Sequence, residues 1–181
     1  ILETEILDNY QQIVIITDEN VSKLYNSEIT CFIDFFSEHD KEAYLCEIVP
    51  GEESKCIKMK KYIEHFLFKN NIKRQNSCII AMGGGVIGDL AGYVASTYKR
   101  GIDLIHVPTT LLAMVDSSIG GKNGINNTFG KNMIGTFYQP KHILIFPYFL
   151  KTLPKEEIIN GMAEIIKTAA IGNIKLWNTL Q

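Results

Sequence analysis

Short, continuous runs of β-branched and apolar residues alternate along this chain with longer stretches whose apolar positions recur at helical spacing. The runs are Ile13–Thr17 (IVIIT), Tyr44–Val49, Cys78–Met82, Asp103–Val107 and a late one at Ile143–Phe146. A strand that is apolar at successive positions is covered on both faces. Strands interleaved with helices pair in parallel through crossovers. The intervening stretches agree. Residues 20–37 carry Val21, Leu24, Tyr25, Ile29, Phe32, Ile33 and Phe36 at helical spacing. Residues 54–70 set Ile57, Tyr62, Ile63, Phe66 and Leu67 against a Lys-rich side, and 86–98 form a helix whose Gly88 and Gly92 predict close packing. The expectation is an α/β fold, a Rossmann-like parallel sheet with helices on both faces.

Ligands of such sheets sit outside the carboxyl ends of the strands. The polar clusters Asp18, Pro50-Gly51-Glu52, Gly83–Gly85 and Thr109-Thr110 fall at those ends. From Gly120 to Tyr138 the chain is rich in Gly and Asn and reads as a hairpin or ordered loop, too long and polar for a plain connection. Pro147 and Pro154 mark a boundary, and a helix spans 155–171. Residues 1–150 are thus expected to form the α/β domain, and 151–181 to open an all-α domain. The start without Met and the close on KLWNTLQ, just after a helix, read as a segment of a longer chain.

Bulk properties exclude several classes. With 46% hydrophobic and 21% charged residues, the composition is that of an ordinary globular protein. A net charge of -2 offers no electrostatic footprint for nucleic acid, and Lys60-Lys61 is a local pair. No apolar run is long enough to span a bilayer, and ILETEILDNY lacks a basic and an apolar signal region. Cys31, Cys46, Cys56 and Cys78 show no C-x-x-C spacing and read as reduced and mostly buried, which points to the cytoplasm.

Several positions carry chemistry, each with a plainer alternative. Gly83–Gly85 is not the G-x-G-x-x-G fingerprint. It serves either a tight turn or backbone contact with an anion at a helix N-terminus. Asp89, on the helix those glycines open, either meets ribose hydroxyls or start-of-helix amides, or favours the helix dipole. Thr109-Thr110 are N-caps for the short helix LLAMV or ligand hydroxyls. Asp116 leaves that helix as a turn residue or a ligand group. Lys122 and Lys131, with Asn132 beside the latter, are solvated loop cations or a receptor for phosphate and carboxylate. His106 reads as a core histidine, and His39, His65 and His142 have no partner that sequence identifies. Glu164 and Lys167, at i,i+3 on one helix face, form an exposed salt bridge, or a metal-ligating carboxylate with an ammonium beside it.

Taken together, the motifs PGEESK (50–55), GGGVIGDLAGYVAS (83–96), YKRGIDLIHVPTTLLAMVDSSIGGKNGIN (98–126), GKNMIGTFYQP (130–140), FLKTLP (149–154) and NGMAEIIK (160–167) resemble the 3-dehydroquinate synthase family. They run in order with unbroken spacing from residue 50, whereas the first 49 residues fit loosely, through TDEN at 17–20. The resemblance implies a lyase of the shikimate pathway of aromatic amino-acid biosynthesis, dependent on NAD and on zinc or cobalt. It would convert 3-deoxy-D-arabino-heptulosonate 7-phosphate to 3-dehydroquinate and phosphate.

Carried over by position, the resemblance places Asp18, Asn20, Glu52, Lys55, Gly84, Gly85, Val86, Asp89, Thr109, Thr110, Lys131, Phe149, Leu150, Lys151 and Thr152 around NAD. It places Arg100, Asp116, Lys122, Asn132, Glu164 and Lys167 at the substrate, with Lys122 and Lys167 catalytic, Glu164 the metal ligand, and Arg100 reaching across a homodimer interface. The remaining zinc ligands and an acid/base histidine belong to a later helical domain, outside this sequence. Residues 1–181 alone are therefore expected to be inactive and to bind zinc weakly. The motifs do not distinguish a stand-alone enzyme from a fused multidomain polypeptide. Three other readings stand beside this one. They are another sugar-phosphate cyclase; a metal-dependent glycerol or alcohol dehydrogenase, which would lack the GKNGIN…GKN loop; and a catalytically silent nucleotide-binding half.

Overall fold

The apolar runs pair with one another in a computed structural model that describes residue 6 and residues 8–181. In chain order the elements are β1 (Gln12–Asp18), α1 (Glu19–Leu24), α2 (Asn26–Glu38), β2 (Glu42–Ile48), α3 (Ile57–Lys69), β3 (Ser77–Gly83), α4 (Gly85–Thr97), β4 (Asp103–Pro108), β5 (Lys122–Asn127), β6 (Gly130–Phe137), β7 (His142–Ile143), α5 (Lys155–Gly172) and α6 (Ile174–Leu180). The sheet runs β2-β1-β3-β4-β7, and every pairing in it is parallel. β5 and β6 form a separate antiparallel hairpin. This is a Rossmann-like α/β fold.

Alternate side chains of the central strands feed two cores. Val14, Ile16, Ile79, Ala81 and Leu104 pack with Ile63 and Leu67 of α3 and Leu90, Ala91 and Val94 of α4. On the opposite face, Ile13, Ile15, Cys78, Ile80 and Ile105 meet Val21, Tyr25, Ile29, Phe36 and Phe149. Both faces are covered, as the unbroken apolar runs require. Each buried aliphatic side chain contributes roughly 1.5–3 kcal/mol relative to exposure.

Four local expectations are corrected. The helix expected over 20–37 is two helices, α1 and α2. Tyr25 stands between them with φ -122°, outside helical geometry. Its ring is buried edge-on against Phe149, centroids 4.8 Å apart, and that packing overrides helical continuity. The helix expected over 54–70 begins only at Ile57, because a 3-10 turn, Glu52–Ser54, precedes it and turns Lys55 inward. The short helix LLAMV widens into a π turn, Ala113–Ser117, which contains Asp116. The late strand shrinks to His142–Ile143. Leu144 still donates to the His106 carbonyl at 2.8 Å, but Pro147 then opens a 3-10 turn, Pro147–Thr152.

The cysteines are free. Cys46 and Cys78 are buried, and burial pushes the Cys46 thiol up to about 12, whereas Cys31 is exposed, against the expectation that most would be buried. Among the described residues no helix is long and apolar enough to cross a membrane.

Two glycines dock the outer elements. A Cβ on Gly92 would overlap the Asn123 side chain. That side chain is fixed by donating to the carbonyls of Gly121 and Tyr138 at 2.9 and 3.0 Å, so the hairpin lies against α4. A Cβ on Gly161 would fall 2.5 Å from Leu111 Cγ and 2.7 Å from the Leu112 nitrogen, so α5 rests on the start of the π turn.

Candidate active site

In the order β2-β1-β3-β4, the chain leaves β1 in one direction and returns at β3 on its other side. Such a switch point leaves a crevice at the carboxyl ends of the two strands, where ligands of these sheets bind. The Thr17 hydroxyl spans it, donating to the Met82 carbonyl at 2.7 Å. Immediately beyond lie Asp18 and Gly83–Gly85. Gly84 is the N-cap of α4 and no side chain caps that helix. The first-turn amides thus carry the partial positive charge that suits an anion.

The segment after β4 supports this turn. Thr109 N donates to the Gly83 carbonyl at 3.0 Å. A Cβ at Gly84 would lie 2.9 Å from Thr110 Cγ2, and one at Gly85 would lie 3.4 Å from Ser117 Oγ. Thr110 Oγ1 accepts from Ala113 N at 3.2 Å, so the capping role is realised there. Asp18 likewise caps α1, accepting from Asn20 N and Val21 N.

Asp89 has a partner that sequence could not name. It forms an ion pair with Lys55, which is 5% exposed. Burial raises the Asp89 carboxyl above its ordinary value, and the adjacent ammonium opposes that rise. Glu52, three residues before Lys55, accepts from Asn126 Nδ2 at 2.7 Å. Across the crevice, Tyr25 donates to the Phe149 carbonyl at 3.3 Å and also meets the Thr152 hydroxyl. Lys151 lies over the Tyr148 ring.

A second cluster sits where α5 meets the π turn. Glu164 and Lys167 are ion-paired. The Glu164 carboxylate, and then Asp116, hold the Lys167 ammonium above its ordinary value. Glu164 Oε2 is buried, and the Lys167 ammonium is its partner. A buried carboxylate oxygen facing only a cation suits a metal ligand. Among the described residues, however, no group of three or more His, Cys, Asp or Glu is placed to hold a metal.

The remaining expected site residues are dispersed. Lys122, Lys131 and Asn132 lie exposed on the hairpin. Arg100 lies past the far end of α4, which at 1.5 Å per residue is about 20 Å from the glycine turn. It and Lys99 adopt φ 71° and 48°, a strained left-handed pair, and Arg100 is exposed just before β4, at the amino ends of the strands. Arg100 therefore does not join the others within this chain.

Residues 45–160 match the 3-dehydroquinate synthase N-terminal family. The chain belongs to the 3-dehydroquinate synthase family. The pentafunctional AROM polypeptide of Schizosaccharomyces pombe is 51% identical over 175 residues, covering 94% of this chain and 11% of that one. The 3-dehydroquinate synthase of Streptococcus suis (strain 05ZYH33) is 48% identical over 170 residues, 94% of this chain and 47% of its own length. The chain thus spans about half the length of that synthase relative. The aligned span reaches well into the first 49 residues, where the motif resemblance rested on TDEN alone. A solved structure, 2-epi-5-epi-valiolone synthase from Streptomyces hygroscopicus subsp. jinggangensis 5008 with NAD+ and Zn2+ bound, superposes with a TM-score of 0.87 at 33% identity, covering 94% of this chain and 47% of that one.

Sequence reasoning missed Ser117, whose hydroxyl approaches Gly85, and Tyr25, which anchors the Pro147–Thr152 turn. Ser117 stands in a Ser-Ser pair that reads as turn polarity, and Tyr25 stands in a helical pattern that reads as core. Neither carries a local signal.

Proposed function

We propose that this chain is the nucleotide-binding half of an enzyme that converts 3-deoxy-D-arabino-heptulosonate 7-phosphate to 3-dehydroquinate with loss of inorganic phosphate. Family membership supports the reaction. The observation that carries it is the segment 109–117. It touches the uncapped glycine turn through Thr110 and Ser117, and it touches the α5 corner through Leu111 and Leu112. A nucleotide seated on the turn and a substrate held at the corner would then be neighbours.

Residues 1–150 form the nucleotide-binding domain on this reading, and 151–181 begin a helical domain. Asp18, Asn20, Glu52, Lys55, Gly84, Gly85, Val86, Asp89, Thr109, Thr110, Lys131 and residues 149–152 surround NAD. Glu164 supplies one ligand to a divalent metal, zinc or cobalt, which its buried carboxylate oxygen suits. NAD and the metal, when bound, supply a returnable hydride acceptor and polarisation of a ring oxygen. The chain's own residues bind and orient. Asp116 and Asn132 accept and donate hydrogen bonds to the sugar hydroxyls. Lys122 and Lys167 neutralise the phosphate and carboxylate, which two point charges on flexible stems do well. Arg100, too far from its own crevice, would serve a second copy in a homodimer. The AROM relative supports a place for such a chain inside a fused polypeptide, and the reduced cysteines fit the cytoplasm.

The test is turnover of the enzyme that contains this chain. With the sugar-acid phosphate and sub-stoichiometric NAD+, phosphate accumulates without net NADH. Stoichiometric NADH from glycerol or another alcohol would instead make it a dehydrogenase. The likeness to a valiolone synthase favours one second reading, a cyclase for another sugar phosphate. Turnover of a phosphorylated sugar lacking the carboxylate in preference to the acid would establish that reading.

A further inference from the structure

We infer that Asn126 is a positioning residue that ties the segment bearing Lys131 and Asn132 to the turn bearing Glu52 and Lys55. The hairpin pairs Ile125 with Ile134 and Asn127 with Gly130. One residue of β5, Asn126, therefore stands opposite three of β6, Lys131, Asn132 and Met133. Bulges of this kind re-aim side chains and recur beside active sites. Asn132 within it takes φ 56°, a left-handed conformation that asparagine tolerates and that neighbouring bonds hold in place.

Asn126 supplies those bonds. Its Oδ1 accepts from Asn132 N at 2.8 Å, and its Nδ2 donates to Glu52 Oε1 at 2.7 Å. Its own N–H donates to the Lys55 carbonyl at 2.8 Å. One carboxamide thus meets an amide that needs an acceptor and a carboxylate that needs a donor. Neither Asp nor an aliphatic residue can do both. Lys55 in turn holds Asp89, so an unbroken path of bonds runs from α4 to the bulge. What Lys131 and Asn132 touch rests on the functional reading above, whereas the tether itself does not.

The test compares Asn126→Ala with Asn126→Asp in the enzyme that contains this chain. Two measurements are made, amide hydrogen exchange at Asn132 and the apparent KM for NAD+ and for the sugar-acid phosphate. Asn126→Ala frees the bulge. Exchange at Asn132 accelerates, and KM rises about tenfold for the sugar-acid phosphate and also rises for NAD+, near which Glu52 and Lys131 are placed, while kcat changes by less than about threefold, the scale of one lost hydrogen bond. Asn126→Asp keeps the acceptor but sets a carboxylate against Glu52. Exchange at Asn132 stays slow and KM for the sugar-acid phosphate recovers, while KM for NAD+ rises.

Unchanged exchange at Asn132 in Asn126→Ala overturns the inference. So does parallel loss of Tm, kcat and both KM values in the two variants, the mark of a residue needed only for folding. A wild-type enzyme that turns over no sugar-acid phosphate overturns the functional reading instead, and the exchange result still decides the role of Asn126.

Discussion

His106 lies in β4 among apolar neighbours, 3% exposed, and burial lowers its pKa from 6.5 to about 4. A group whose folded-state pKa is depressed contributes stability above its unfolded value and loses it as pH falls toward the folded one. Between pH 6.5 and about 4 that loss amounts to about 3 kcal/mol. Urea unfolding followed across this window will show the decline, and His106→Gln will flatten that part of the slope. An unchanged slope in the variant would place the acid sensitivity elsewhere. Lys122, exposed at the start of β5, makes a different prediction. Lys122→Ala should weaken the sugar-acid phosphate about tenfold, as loss of one charge-assisted contact does, with NAD+ affinity unchanged. Equal loss of both ligands, read by calorimetric titration, would mean that Lys122 orders the hairpin. At this scale the residue types at the strand ends were legible, because Gly, Asp and Thr there serve turns, helix caps or ligand contact. The partners were not. The Lys55–Asp89 pair joins residues on two helical turns far apart in sequence, and only the tertiary fold brings them together.

The strands of the parallel sheet could be read directly, since unbroken β-branched runs between helical patterns suit a doubly covered sheet. The elements that escaped did so for packing reasons. Tyr25 divides one amphipathic pattern into two helices because its ring is needed beside Phe149. Pro147 cuts the late strand to two residues. The π turn at Ala113–Ser117 leaves no trace in periodicity, because its extra residue serves to present Asp116 and to let Ser118 reach back to Ala113 O at 2.7 Å. The hairpin offers the cleanest test at this scale. Gly92→Ala would drive a methyl into Asn123, an overpacking that costs about 1–3 kcal/mol. Amide exchange should quicken through residues 122–137 while β3 and β4 keep their protection. Uniform acceleration across the sheet would show that the contact supports the whole fold.

For the molecule as a whole, two cores cover the faces of the sheet. A catalytic zinc site takes three protein ligands as a rule. On the proposed reading Glu164 is one of them, and among the described residues no group of three or more His, Cys, Asp or Glu could hold a metal. The 181-residue chain by itself should bind NAD+, bind zinc weakly, and release no phosphate from the sugar-acid phosphate. Sustained phosphate release from the purified chain would refute this. Gly161 carries a further consequence. The seating of α5 against Leu111 and Leu112 tolerates no side chain at that point. Any larger residue there lifts the helix, and the acidic and basic groups it bears shift together relative to the nucleotide crevice. The size of residue 161 thus sets the reach and angle of the whole helix without any change to the groups it carries.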